Sequence, residues 1–467
     1  MSARWFFPSR ADRRRIDDLL TTYLDGAQER VVHGSVVPTF DVAQFRRELA
    51  EFDFTGKPPF DETLFWTITQ LEHGLVHVDH PRYFGLFNPT PTFPAQCADR
   101  IAATFNPQLA TWTTSPAAVE IESHVIRAVA ERVGLPPGSS GHFTTGGAEA
   151  NYTATLLALS KLCPDFASHG ARAFAGTPVF YVSRESHLAW IKIAQQAGIG
   201  RAAVRLVETD GSGRLDADSL QETIRRDLKH GHVPFMVAAT AGTTNAGMID
   251  PLVRCAEIAR VFGLWYHVDA AWGGGLIASD RLRAPLTGIE QADSVTIDAH
   301  KWFATTMGCG MLLTRWPDLL NVVFGVSTNY MPSELAKLDP YVNSVQWSRR
   351  FAGLRLFLSL AAGGWDGYAA HVEHSLALAD LLKHQLTRHG WAVVNQSPVG
   401  VVCFIPPQSG AIPAIVNRVI ASGSAWVSLA ALERREVIRA CVTSGTTTTD
   451  DIAVLIAALM LAASTKL

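Results

Sequence analysis

Short apolar runs alternate with amphipathic stretches through the middle of the chain. From about residue 141 onward, segments with apolar residues at helical spacing separate these runs. The runs predicted to form strands cover residues 179–182, 204–207, 235–239, 265–268, 294–297 and 311–313. Strands and helices in alternation predict a mostly parallel sheet that helices cover on both faces.

The first part of the chain has a purely helical pattern. Apolar residues such as Leu20 and Leu24 recur at helical spacing there. The Gly-Lys-Pro-Pro sequence at 56–59 then breaks the pattern before a second helical stretch around 64–71. We expect an N-terminal helical segment over residues 1–78, which needs a partner surface for its apolar face.

The last part of the chain predicts a smaller domain. Residues 349–386 have helical periodicity interrupted at Gly363 and Gly364, and the tract before them, 321–347, is irregular and typical of a lid. Further strands are predicted at 391–394, 401–405 and 437–442, with helices around Ile415 and from Asp450. We therefore expect a large domain over residues 79–348 and a smaller α+β domain over residues 349–467.

Composition and charge narrow the class of protein. A chain of 467 residues is expected to hold at least two domains, and 48% hydrophobic with 18% charged residues is typical of a globular enzyme. The net charge of -3 provides no basic patch for nucleic acid and no charged run for a membrane surface. The expected partner is a small-molecule substrate.

The cysteines and the termini indicate the cytoplasm. The six cysteines are scattered, without the spacing of a metal site, so we expect no metal and free thiols in a reducing compartment. The N-terminus lacks the apolar stretch of a secretory signal. The apolar run at 452–463 is shorter than the roughly 20 residues of a membrane span.

Two segments carry residues that suit pyridoxal 5'-phosphate (PLP). One holds His300 and Lys301 after a predicted strand, and the other ends a strand at Asp269 and continues through Ala271. A lysine amine can condense with the cofactor aldehyde. A carboxylate at the pyridine nitrogen keeps that nitrogen protonated, so that the ring can accept electrons.

Three further turns follow predicted strands or precede helices. Gly146, Gly147 and Ala148 precede a helix, where backbone N–H groups and the helix dipole can hold a phosphate. His187 follows a strand and can stack on a planar ring, and Thr244 lies in a Gly-Thr-Thr turn after another strand. Each turn alone also has an ordinary structural explanation. The carboxyl ends of parallel strands are nevertheless where ligands bind in such sheets.

In this order, the motifs resemble those of the group II PLP-dependent amino-acid decarboxylases, from about His80 to the C-terminus. The family contains the aromatic-amino-acid, glutamate and histidine decarboxylases. The resemblance implies an aspartate aminotransferase-like α/β fold of fold type I. It also implies that Lys301 is the Schiff-base lysine, that Asp269 is the partner of the pyridine nitrogen and that His187 stacks on the ring. The remaining cofactor contacts implied are Gly146, Gly147, Ala148, Thr244, Ala271, Asp298 and His300.

Two positions need separate treatment. Some relatives carry Asn where this chain has Asp298, and a carboxylate near a phosphate is repelled unless it is protonated or turned away. The family also uses a loop tyrosine that reaches across a homodimer to protonate the carbanion. Tyr341 matches this position better than Tyr330, which stays an alternative.

The predicted reaction is decarboxylation of an L-amino acid to its amine and carbon dioxide. Aromatic residues in the pocket-lining segments, namely Phe84, Phe87, Phe93 and Trp112, favour an aromatic substrate. One alternative is decarboxylation coupled to oxidation, which releases an aldehyde. The other is a PLP-binding protein without catalysis, and joint retention of Lys301, Asp269 and His187 argues against it.

Overall fold

The structure is a computed structural model that describes residues 6–56, 58–326, 339–407 and 412–464. Its helices are α1 (Arg10–His33), α2 (Val42–Ala50), α3 (Phe60–Gly74), α4 (Phe93–Phe105), α5 (Pro116–Val133), α6 (Gly147–Leu162), α7 (Phe166–His169), α8 (Ala189–Gln196), α9 (Ala217–Lys229), α10 (Leu252–Phe262), α11 (Pro317–Phe324), α12 (Gly353–Arg388), α13 (Ile412–Ala421) and α14 (Thr449–Ser464). Its strands are β1 (Ser140–Thr144), β2 (Pro178–Ser183), β3 (Val204–Val207), β4 (Val233–Thr240), β5 (Trp265–Asp269), β6 (Ser294–Asp298), β7 (Gly310–Thr314), β8 (Ala392–Val393), β9 (Val401–Ile405), β10 (Ser428–Leu432) and β11 (Arg435–Cys441).

The large sheet has seven strands in the order β1-β7-β6-β5-β4-β2-β3. The neighbours from β6 to β3 pair in parallel, and β7 runs antiparallel to both β1 and β6. Every residue of β2, β5, β6 and β7 is buried, which explains why these strands are continuous apolar runs without alternation. The prediction of a mostly parallel sheet is confirmed.

Helices bury both faces of this sheet. One core lies among α5, α9, α10 and α12, and it includes Val237, Val268 and Val295. The other lies among α6 and α8 and includes Phe180 and Phe235. Because both faces are covered, ligands reach the sheet only at the ends of its strands.

The C-terminal part forms a separate antiparallel sheet in the order β10-β11-β9-β8, with its own core against α13 and α14. Helix α12 contacts α4 and α5 on one side and β8, β9 and α14 on the other, so it joins the two halves. The helix is kinked at Gly364, where φ is 61° and ψ is -172°, beside the interruption that the sequence predicts. The exact domain limits at residues 78 and 348 stay predictions.

Helices α1 and α3 pack together in the N-terminal segment and expose apolar side chains. Tyr23 and Phe65 meet with their ring centroids 5.3 Å apart, yet Phe65 is 54% exposed and Phe60 is 58% exposed. The segment joins the rest of the chain through the backbone N–H of Val36, which donates to the Gly423 carbonyl at 2.9 Å. Its apolar surface is therefore only partly covered within the described chain.

Candidate active site

The carboxyl ends of β1, β2, β4, β5 and β6 surround a cavity of about 290 Å³. Ten of the residues that the sequence assigns to a cofactor site line this cavity: Gly146, Gly147, Ala148, His187, Thr244, Asp269, Ala271, Asp298, His300 and Lys301. The strands that carry these residues are far apart in sequence. The parallel sheet places their ends side by side.

The glycine turn after β1 is packed closely against the ends of β6 and β7. A Cβ on Gly147 would lie 3.1 Å from Asp298 Oδ2 and 3.2 Å from the Ala271 side chain. A Cβ on Gly310 would lie 2.6 Å from the Gly146 Cα. Because the backbones approach so closely, a larger residue at either position would force its neighbours to move. The backbone N–H groups at the start of α6 can then serve as an anion cradle.

Asp269 ends β5 and is held by two donors. Asn151 Nδ2 donates to Asp269 Oδ2 at 2.8 Å, and the Ala271 backbone N–H donates to Oδ1 at 3.1 Å. These two hydrogen bonds fix the orientation of the carboxyl group toward the cavity. Asp269 can therefore present a negative charge to a protonated ring nitrogen.

A buried hydrogen-bond chain orients Asn151. Its Oδ1 accepts from Thr296 Oγ1 at 2.7 Å and lies 3.0 Å from His267 Nε2. His267 Nδ1 lies 2.8 Å from the Ser294 hydroxyl, which in turn accepts from the Trp265 indole. Burial lowers the pKa of His267 to about 3, so the ring is neutral, and Nε2–H donates to Asn151. The Asn151 amide N–H group must then point at Asp269.

Lys301 lies in the turn after β6 with its amine in the cavity. Nζ lies 3.1 Å from Asp298 Oδ2 and 5.6 Å from the centre of the Phe87 ring. The Lys301 side chain is 22% exposed, whereas that of Asp298 is 3% exposed. The amine is thus the accessible member of a buried ion pair.

His300 is held as a neutral ring beside the lysine. The Cys309 backbone N–H lies 3.3 Å from its Nδ1 and donates to it, so the proton is on Nε2. Burial lowers the pKa of His300, against a smaller raising effect of Asp298. Nε2 lies 3.8 Å from Asp298 Oδ2, on the side of the glycine turn.

His187 and Thr244 lie on the opposite wall of the cavity, in the turns after β2 and β4. The Ala189 backbone N–H donates to His187 Nδ1 at 3.1 Å, which places the His187 proton on Nε2. The ring is exposed in this chain. An imidazole with an open face suits stacking on a planar ligand.

Several cavity residues were not predicted as site residues. Phe87 was considered for the substrate pocket, and it lines the cavity together with Trp272 at a centroid distance of 4.4 Å. By contrast, Phe84 belongs to the C-terminal core and Phe93 is 73% exposed. The unpredicted lining residues are Thr145, Glu149, Asn151, Thr240, Gly242 and Trp272.

Arg439 on β11 lies behind Phe87 and was also missed. Its guanidinium carbon is 4.7 Å from the centre of the Phe87 ring, and Nη1 donates to the Gly85 carbonyl. Arg439 is 2% exposed, and within the described ranges its Nε and Nη2 have no hydrogen-bond partner. An unneutralised cation buried in this way suits an anion.

Tyr341 does not line the cavity of its own subunit among the described residues. It lies in a short 3-10 turn (Pro340–Val342) and is 6% exposed, with its ring centroid 5.1 Å from that of Trp347. The family resemblance implies a role for it at the site of a second subunit, and that role stays a prediction. Tyr330 lies outside the described residues.

The described part of the chain contains no cluster of histidine, cysteine or acidic residues suited to a metal ion. Within the same residues, no helix combines the length and apolar character needed to cross a bilayer. All six cysteines are free thiols, and four of them are buried.

The sheet order with its single reversed strand, the strand-end site and the lysine-aspartate pair define a PLP-dependent enzyme of fold type I. A family model described as the pyridoxal-dependent decarboxylase conserved domain matches residues 49–405. The chain belongs to this family, its cofactor is PLP, and it is a PLP-dependent carboxy-lyase.

Similar proteins have different substrates in their names. The chain is 32% identical to an acidic amino acid decarboxylase of Mus musculus over 77% of this chain and 67% of that protein. It is 28% identical to an aromatic-L-amino-acid decarboxylase of Bacillus atrophaeus, over 89% and 88% of the two chains. It is 34% identical to an L-2,4-diaminobutyrate decarboxylase of Rhizobium meliloti (strain 1021), over 72% and 66%.

Solved structures match nearly the whole fold. The crystal structure of mouse CSAD has a TM-score of 0.89 at 27% identity and covers 96% of this chain and 99% of that one. The crystal structure of Oryza sativa TDC with PLP and tryptamine has a TM-score of 0.90 at 25% identity, with coverage of 97% and 98%. The fold prediction is confirmed, and the cradle, Asp269 and Lys301 suit the phosphate, ring nitrogen and aldehyde of the cofactor.

Proposed function

We propose that the protein decarboxylates an aromatic L-amino acid to its amine and carbon dioxide. The observation that supports this substrate class is the aromatic wall of Phe87 and Trp272 beside the Lys301 amine. Aromatic walls bind planar apolar side chains through dispersion and offset or edge contacts.

Each residue of the cavity has a separate role in the proposed reaction. PLP, when bound, withdraws electrons from the α carbon of an amino acid condensed with it. Asp269 would keep the pyridine nitrogen protonated, His187 would provide a flat surface for the ring, and Lys301 would supply the amine that holds the cofactor. The His300 ring lies beside the cradle, where a Cβ on Gly146 would be 3.4 Å from its Cε1, and its Nε2–H can donate to the phosphate.

We further propose that Tyr341 returns the proton to the α carbon in the site of a partner subunit. Among the described residues it does not line the cavity of its own chain, which agrees with action across a homodimer. The exposed apolar residues of α3, such as Phe60 and Phe65, offer surface for such a subunit contact. Free cysteines agree with a cytoplasmic location.

Arg439 favours a second candidate, a substrate with an acidic side chain. The guanidinium is buried and has two nitrogens without a hydrogen-bond partner in the described chain. Its guanidinium carbon is 4.7 Å from the centre of the Phe87 ring, and Arg439 itself does not line the cavity. A rotation of Phe87 would expose this cation to a substrate carboxylate, whereas an aromatic substrate keeps Phe87 in place.

A substrate panel tests both candidates. Aromatic, acidic and diamino L-amino acids are incubated with the purified enzyme while carbon dioxide, amine, aldehyde and peroxide are measured. We expect the highest kcat/KM for an aromatic substrate. In Phe87→Ala this kcat/KM should fall at least about tenfold, because an aromatic contact and its buried area are removed. In Arg439→Met it should change little. An acidic substrate that ranks first and is lost in Arg439→Met would replace the aromatic proposal.

The ratio of products tests whether Tyr341 donates the proton to the α carbon. Tyr341→Phe should still release carbon dioxide, but its amine yield should fall while aldehyde and oxygen consumption rise. Tyr330→Phe is the matched control and should keep an amine to carbon dioxide ratio near one. A collapse of that ratio in Tyr330→Phe, beside an unchanged ratio in Tyr341→Phe, would assign the proton to the other tyrosine.

A further inference from the structure

The carboxyl group of Asp298 lies directly beneath the phosphate cradle. It ends β6, pairs with Gly310 of β7 and is 3% exposed. A Cβ on Gly147 would meet its Oδ2 at 3.1 Å, and a Cβ on Gly310 would meet its Oδ1 at 2.7 Å. The Asp298 carboxyl group therefore lies in contact distance of both the end of β7 and the glycine turn.

Among the described residues, Lys301 is the charged cation in contact with Asp298. Lys301 Nζ is 3.1 Å from Oδ2, and the neutral His300 ring is 3.8 Å away. Immediately before β7, burial raises the pKa of the Cys309 thiol to about 12, so it carries no charge. Arg355 of α12 donates to the Met307 and Gly308 carbonyls and pairs with Asp99, away from Oδ2.

A second carboxylate increases the negative charge of the cradle. Glu149, in the first turn of α6, accepts from the backbone N–H and the hydroxyl of Thr145 at 2.9 and 2.7 Å. A phosphate monoester adds close to two negative charges at neutral pH. Against these charges stand the α6 dipole, equivalent to about half a positive charge, and the single ammonium of Lys301, so the negative charges outnumber the positive ones even when the lysine amine stays free.

Oδ1 of Asp298 also has no hydrogen-bond partner among the described residues. A fully ionised carboxylate would leave this buried oxygen unsatisfied beside an incoming dianion, which is unfavourable on both counts. A neutral carboxylic acid removes the repulsion and gains an O–H donor. The same side chain then becomes a phosphate ligand.

We propose that Asp298 takes up a proton when the cofactor phosphate binds, so that cofactor loading is coupled to pH. One proton moves from solvent to the Asp298 carboxylate, and no other bond changes. This inference concerns the cofactor site and holds whichever amino acid is the substrate.

The probe for this proposal is pyridoxamine 5'-phosphate. It carries the same ring and phosphate, but its amine cannot condense with Lys301, so proton changes of that condensation are absent. Its Kd is measured between pH 6 and 9 for the full-length protein freed of PLP, in wild type and in Asp298→Asn. Titration of the ligand phosphate is common to both proteins and cancels in the ratio of the two Kd values.

We expect the ratio of wild-type Kd to Asp298→Asn Kd to rise with pH by up to about tenfold per unit, because one proton is linked to binding only in the wild type. Calorimetry in two buffers of different ionisation enthalpy should find about one more proton taken up by the wild type than by Asp298→Asn. A ratio that stays constant from pH 6 to 9, or wild-type binding without proton uptake at pH 8, would overturn the proposal.

Two control variants locate the proton. Glu149→Gln removes the partly exposed carboxylate of the same cradle and should keep the pH dependence of the wild type. His300→Gln should also keep the proton uptake. Loss of uptake in His300→Gln, with uptake retained in Asp298→Asn, would place the proton on the imidazole and would also overturn the proposal. Thermal unfolding of each variant checks that the fold is retained.

Discussion

At the scale of single residues, the site depends on which groups are charged and which are neutral. Burial keeps His267 and His300 neutral, so each has a defined N–H direction. Asp269 is fixed by donors from Asn151 and Ala271. A carboxylate at the end of a chain of neutral groups is a suitable partner for a protonated ring nitrogen, because within the described ranges no cation pairs with it.

Asn151 provides the first prediction, as a positioning residue. Asn151→Ala removes a donor to a charged group, worth about 1.5–3 kcal/mol, and should lower kcat/KM by roughly ten- to a hundredfold. The measurements are the decarboxylation rate and the affinity for PLP.

Asp269→Asn should fold, retain PLP and lose most of its turnover, since an amide cannot hold the ring proton.

Thr155→Ala is the matched control for Asn151→Ala. Thr155 is buried on the same helix, and its hydroxyl donates to the Asn151 backbone carbonyl at 2.9 Å, away from Asp269. It should lose stability with little loss of kcat. Equal losses of kcat in the two variants would mean that Asn151 acts through the packing of α6 alone.

At the scale of elements, the site is formed where strand ends touch the glycine turn. Gly310 on β7 allows the turn at Gly146 to approach. Gly310→Ala should weaken PLP binding and lower the unfolding free energy by about 1–3 kcal/mol, since backbone atoms must move to admit the methyl group. PLP titration and thermal unfolding measure the two effects.

Gly363→Ala offers a control within a helix. A Cβ at Gly363 would meet nothing within 4 Å, so the variant should be neutral or slightly stabilised. If Gly310→Ala bound PLP as tightly as the wild type, close approach of β7 would not be what shapes the cradle.

The strands of the large sheet were predictable because they are buried on both faces, as β4 and β5 illustrate. The sequence failed for β1 and β10. β1 includes Gly141 and the polar His142, and β10 is mostly alanine and leucine, a composition equally suited to a helix. These two segments are strands because they pair with β7 and β11 in the folded protein. The local sequence pattern carries no information about that pairing.

The site shows the same division between local and distant signals. Lys301, Asp269 and the glycine turn were predictable because each motif combines its chemistry with a strand end or a helix start. Asn151 and Arg439 were missed because the contacts that reveal their roles are with residues more than a hundred positions away. These partners are Asp269 and Gly85. Only the folded chain shows these contacts.

At the scale of the whole molecule, burial of histidines sets a direction for stability against pH. Burial lowers the pKa of His142 and His267 to about 3, and that of His80 and His371 to about 4. An unfolded histidine titrates near 6.5. Between that pH and the folded pKa, the unfolded chain binds more protons, so stability falls as the pH falls below about 6.5.

His142 allows this effect to be isolated. It is buried on β1 beside Arg349, and neither ring nitrogen has a hydrogen-bond partner in the part of the chain that the structure describes. One such histidine contributes at most about 1.4 kcal/mol of stability loss per pH unit below 6.5. His142→Gln cannot titrate, so its stability should fall less between pH 7.5 and 5.5 than that of the wild type.

Asp250 affects the pH dependence of stability in the opposite direction to the buried histidines. The comparison between proteins therefore uses the change in stability between two pH values, in which the Asp250 contribution is the same for each protein. Burial raises its pKa to about 7, so its contribution weakens as the pH rises from about 3.8 through 7 in both proteins and cancels. Unfolding midpoints at pH 7.5 and 5.5 are measured for wild type, His142→Gln and the exposed control His230→Gln. We expect the control to match the wild type. Equal falls in all three proteins would mean that His142 is not held neutral by the fold, and that the acid sensitivity has another source.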